Sequence, residues 1–147
     1  QFANLDEVEK PARLTMNYRI PAGVSESGAN LTGSLPAYWE RDYLGTRFVK
    51  DRKTPFQVLY PIHLSSEVAL KLPSQPAVDS ISALQQHGQS PHCDWSLKSE
   101  FKSNEVIVRF DFNSKSGIHP ASGYANFHES IDSARRAWDK PLTWKAP

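Results

Sequence analysis

The tightest constraint on the fold lies between Asp94 and Phe112. Trp95, Leu97 and Phe101 share one parity there, and Asp94, Lys98 and Glu100 share the other. Beyond Lys102 to Asn104, Val106, Val108, Phe110 and Phe112 alternate with Ile107, Arg109 and Asp111. A period of two sends alternate side chains to opposite faces of an extended strand. Two such runs joined by a short polar segment predict a hairpin with one apolar face. That face must be covered, so the remaining chain has to supply a second layer.

The rest of the chain reads as further strands and one helix. Gln1 to Lys10 is polar and reads as a linker, leaving 11–147 as a single domain. Leu14, Met16, Tyr18 and Ile20 alternate up to Pro21, which ends that strand. Gly23 to Gly28 reads as a Ser/Gly loop, and Ala29 to Leu35 as a short strand. Tyr38 to Leu44 fits either a strand or a turn of helix. Phe56 to Tyr60 is a strand, and after Pro61 a longer one runs from Ile62 to Leu72. Val68, Leu70 and Leu72 form its apolar face, with Glu67 and Lys71 opposite. Pro73 to Pro91 reads as a loop anchored by Ile81 and Leu84.

After Gly117 the period lengthens: Tyr124, Phe127, Ile131, Ala134 and Trp138 make one apolar stripe on a helix. Ser122 is its expected N-cap and Pro141 follows its end. Leu142 to Lys145 adds a last strand. The expected fold is mainly β within the α+β class. It is an antiparallel β-sandwich-like domain with one C-terminal helix packed on it. A lone helix cannot build a doubly wound sheet, so no nucleotide crevice of that kind is expected.

Composition narrows the function. The 147 residues suffice for a core without staples, and Cys93 is the only cysteine. The 17 basic and 16 acidic residues leave a net charge of +1, which gives no electrostatic drive toward nucleic acid or an anionic membrane. No apolar stretch is long enough to span a bilayer, and no basic-then-apolar leader opens the chain. A chain opening at Gln1 without Met is expected to be either an excised piece of a longer chain or a mature fragment.

Candidate chemistry is sparse. Cys93 sits in His92-Cys93-Asp94-Trp95, but neighbours on a strand face opposite ways, so His92 is badly placed to activate the thiol. Cys93 shares parity with Trp95 and Leu97, which fits a small buried residue. His87, His92 and Cys93 lack a fourth ligand for a structural zinc site. Carboxylate pairs such as Glu40 and Asp42 lie in polar surroundings, where nothing raises a pKa for acid–base work. No phosphate-binding loop, nucleophile elbow, zinc-protease or calcium-loop pattern occurs. No catalytic residue, cofactor or metal is therefore expected. Tyr38, Trp39, Tyr43 and Trp144 are candidates for an aromatic platform that stacks on a sugar or anchors a protein. Arg52, in Asp51-Arg52-Lys53-Thr54-Pro55-Phe56, is a candidate ion-pair partner at an interface.

The order of these segments resembles a known family. The strand Arg13 to Ile20 precedes Arg52-Lys53-Thr54-Pro55-Phe56, then a strand ending Leu70-Lys71-Leu72-Pro73. The hairpin Trp95 to Phe112 follows, and then a helix with Tyr124 ahead of Asn126-Phe127. The pattern resembles the C-terminal β domain of bacterial transglutaminase-like proteins, over roughly residues 10–145. The resemblance implies an accessory domain of a larger protein, secreted or periplasmic, that packs on an upstream papain-like core or binds a partner. The family's Cys, His and Asp would belong to that core, and Cys93 does not match its nucleophile. The alternative is a free-standing β-sandwich module that binds carbohydrate or peptide.

Overall fold

The computed structural model describes residues 2–3, 13–14, 24–36 and 51–146. In chain order the strands are β1 (Phe2–Ala3), β2 (Arg13–Leu14), β3 (Val24–Ser27), β4 (Asn30–Gly33), β5 (Phe56–Val58) and β6 (His63–Lys71). A short helix α1 (Val78–Ala83) leads to β7 (Gln86–Gln89), β8 (Cys93–Lys102), β9 (Glu105–Ser114) and β10 (Gly117–His119). The long helix α2 (Tyr124–Trp138) and β11 (Leu142–Lys145) close the chain.

The central hairpin forms as its alternation requires. β8 and β9 pair from Cys93↔Ser114 to Lys102↔Glu105. The turn residues Ser103 and Asn104 both have positive φ, the geometry that matches a two-residue turn to the twist of its strands. β6 adds beside β9 and β7 beside β8, giving the antiparallel order β6-β9-β8-β7. Cys93, Trp95, Leu97, Val106, Val108, Phe110 and Phe112 are buried on one face.

Helix α2 covers that face over β7 and β8. Tyr124, Phe127, Ile131, Ala134 and Trp138 are all buried, as the stripe predicts. Trp138 meets Phe110 edge-on, with ring centroids 5.7 Å apart. Three smaller antiparallel units accompany the main sheet: β11-β4-β3, β5 with β10, and β1 with β2. The domain is mainly β, with antiparallel sheets and a C-terminal helix packed on them.

Several expectations change in detail. Val24 to Ser27, read as loop, pairs with β4 across Gly28 and Ala29. Its Ser/Glu composition hides a strand that is exposed where described. Within Pro73 to Pro91 lie α1 and β7 rather than a plain loop. Six residues are too few for helical periodicity to show, and β7 is a polar run, Gln-His-Gly-Gln. Both anchors are placed as expected, Leu84 fully buried and Ile81 packed against the core.

Ser122 is not the N-cap of α2. It lies in a 3-10 turn, Ala121–Gly123, whose Gly123 N–H donates to Pro120 O at 3.0 Å. That turn takes up backbone donors a capping side chain would have served. Phe2–Ala3, inside the segment read as linker, pairs with β2. The rest of the predicted strand through Ile20 lies outside the described residues.

Candidate functional site

β6 is the outer strand of the four-stranded sheet. It meets β9 in unbroken register, from His63↔Asn113 to Lys71↔Glu105. The ladder continues past both ends: Leu72 N–H donates to Asn104 O, and Ser114 N–H donates to Ile62 O. Both bonds involve even-numbered residues of this segment. Inward and outward groups alternate along an antiparallel strand. The N–H and C=O of His63, Ser65, Glu67, Ala69 and Lys71 therefore point away from β9.

Among the described residues no strand pairs with that edge. Pro61 and Pro73 lie just outside β6, so neither interrupts it. The opposite edge strand, β7, has only four residues. β6 is not short, holds no internal proline and shows no bulge in its pairing with β9; of the usual protections of a sheet edge it carries charged side chains, Glu67 and Lys71.

The two faces of β6 differ. Its odd-numbered side chains are exposed on the polar outer face. There Arg109 donates from Nε to Glu67 Oε2 at 2.6 Å and from a terminal nitrogen to Glu100 Oε1 at 2.8 Å. These bonds, Glu67's first, raise the guanidinium's already high pKa. Lys71 lies 4.0 Å from Glu105. At the far end of the row, Asn113 joins His63 to Asp94. Each exposed pair contributes little alone, but the Arg109 fork holds the Glu67 carboxylate in place. On the inner face Leu64, Val68 and Leu70 are half-buried, because α2 lies over β7 and β8. An extended strand set against this edge would find backbone donors and acceptors, a fixed anion, an exposed cation and an apolar row.

The other sequence candidates are placed as follows. Arg52 donates to Thr54 O at 2.9 Å and Pro55 O at 3.1 Å, and its guanidinium lies over the Tyr124 ring at 5.0 Å. It fastens the turn before β5 onto the start of α2. Trp144 is 6% exposed. It is a core residue, with one edge lining a shallow recess beside Gln75 and Val78, and offers no stacking platform. Its strand alternates inward on that residue, so parity already favoured burial. Tyr38, Trp39 and Tyr43 lie outside the described residues.

Cys93 is fully buried. Burial pushes its thiol pKa up, against smaller opposing hydrogen bonds from Ser90 and Ser130. His92 does not serve it. Its ring packs among Phe56, His119 and Phe127, 4.6 Å from the His119 centroid. His92 Nδ1 is buried without a hydrogen-bond partner among the described residues. Burial first, then the positive charge of His119 and Lys115, holds the His92 pKa below the usual imidazole value. Among the described residues no three His, Cys, Asp or Glu side chains are grouped to hold a metal, and no helix is long and apolar enough to cross a membrane.

The sequence placed Glu67 and Lys71 on the polar face of a strand. It did not show that this strand is the outer one of the sheet formed by the described residues. Comparison with protein-family models, curated proteins and solved structures gives no match.

Proposed function

We propose that this chain is a non-catalytic accessory domain of a larger bacterial protein, secreted or periplasmic and transglutaminase-like, and that it joins the parent to a protein partner by strand addition at β6. The observation that carries the docking role is the nine-residue edge of β6, regular along its length and unpaired among the described residues. Main-chain hydrogen bonds supply affinity in strand addition, and alternate side chains supply selectivity. The residues with reactive chemistry support the same reading. Cys93 is buried with a raised thiol pKa, and His92 is enclosed by aromatic rings. The transglutaminase-like setting rests on the order of segments in the sequence.

The glycan-binding alternative loses Trp144 to the core. The test is the parent coding sequence together with amide exchange. A signal peptide and a Cys/His/Asp core upstream of Gln1 are expected, with β6 amides that exchange slowly in the parent's assembled form. A start codon or an unrelated domain directly upstream would overturn the accessory role. Fast exchange of the odd-numbered β6 amides in that form would overturn docking at this edge.

A further inference from the structure

We propose that the partner of β6 is β6 of a second copy of this chain, joined antiparallel about a two-fold axis through Ala69 to make one continuous eight-stranded sheet. This inference rests on the docking role of the edge argued above, and names what docks.

The register follows from parity and charge. A two-fold axis perpendicular to the sheet sets the same face of both copies to the same side, so paired residues share parity. The odd-numbered residues already turn their N–H and C=O outward, as hydrogen-bonded pairs across the new seam require. Centring the pair on Glu67 would set like charges directly opposite each other, which is unfavourable. Centring it on Ser66 or Val68 leaves Glu67 and Lys71 opposite uncharged residues.

Centring on Ala69 sets Glu67 opposite Lys71 of the other copy, and the two-fold axis produces that ion pair twice. The same register sets Val68 opposite Leu70 twice on the inner face. These half-buried side chains would extend the apolar row across the seam. Ala69, at the axis, is small enough for close approach of the two strands. Pro73 then faces Ser65 and, lacking an N–H, ends the ladder. The side chains are ready for this arrangement: Arg109 holds Glu67, and the Lys71 side chain is 88% exposed.

Sedimentation equilibrium over about a hundredfold range of concentration, at low and high salt, tests the proposal. The wild-type chain is expected to form dimers. Glu67→Lys sets lysine opposite lysine twice and Lys71→Glu sets glutamate opposite glutamate twice, so each should weaken the dimer about tenfold or more at low salt. An equimolar mixture of the two variants restores both ion pairs and should dimerise like wild type. Ala69→Pro, which removes an outward N–H at the seam and leaves the bonds to β9 in place, should abolish dimers, with circular dichroism confirming that the fold remains.

A wild-type chain that stays monomeric throughout would overturn self-pairing. The docking role would then stand or fall separately, by the exchange of β6 amides in the parent's assembled form. Dimers that ignore both charge changes, or a mixture that fails to recover, would overturn the Ala69 register.

Discussion

Gly88 carries a prediction that joins the sequence to the packing. It lies in β7 directly opposite Trp95 of β8, and a Cβ built on it would fall 2.4 Å from Trp95 Nε1 and 2.7 Å from Cε2. Ordinary contact needs about 3.5 Å, so Gly88→Ala requires the indole or the strand to move by about 1 Å. The indole has little room, because Trp95 is buried in the core. Overpacking of this kind costs about 1–3 kcal/mol. The φ of Gly88 is not positive, so alanine fits the backbone and recovers about 0.5–1 kcal/mol of chain entropy.

The net expectation is a loss of about 1 kcal/mol, and at most about 2.5 kcal/mol, which lowers the melting temperature by about 3 °C per kcal/mol in a domain of this size. Urea denaturation measures the loss, and a double-mutant cycle assigns it. In a Trp95→Phe background the clash disappears, so Gly88→Ala should be neutral or stabilising there. Equal losses in both backgrounds, or a Gly88→Ala protein as stable as wild type, would refute the account.

Two further predictions concern the buried reactive groups. His92 has a folded pKa below its unfolded value of about 6.5, so its contribution to stability is full above that pH and is lost as pH falls through the folded value. NMR titration should show its imidazole titrating below the ordinary range, and a curve at or above that range would contradict the burial argument. Cys93 is fully buried with a raised thiol pKa, so at neutral pH iodoacetamide should label it no faster than the chain opens. Rapid single-exponential labelling of the native chain would return a reactive-cysteine role to contention.

Legibility from sequence followed burial. The inward residues of β8 and β9, and Tyr124, Phe127, Ile131, Ala134 and Trp138 of α2, repeat with the period of their element, because one face of each must leave water. Short or exposed elements leave no such trace. β3 and β7 owe their strand geometry to a neighbour's hydrogen bonds, and α1 is fastened from outside. Ala77 N–H and the Ser80 hydroxyl both donate to Thr143 O of β11. Backbone pairing of this kind is indifferent to side-chain pattern.

The same distinction explains the candidate site. The alternation of Val68, Leu70 and Leu72 against Glu67 and Lys71 identifies a strand with two unlike faces, whatever its neighbours are. Whether that strand lies inside the sheet or ends it depends on the order β6-β9-β8-β7, which is a fact about four segments at once. Strand order sets where the free hydrogen bonds lie, and side-chain pattern sets what can meet them. The spacing of Glu67 and Lys71 acquires meaning only when both are known. On an inner strand these charges would only balance their neighbours on the polar face. On a free edge, in antiparallel pairing about Ala69, each falls opposite its complement in a second copy.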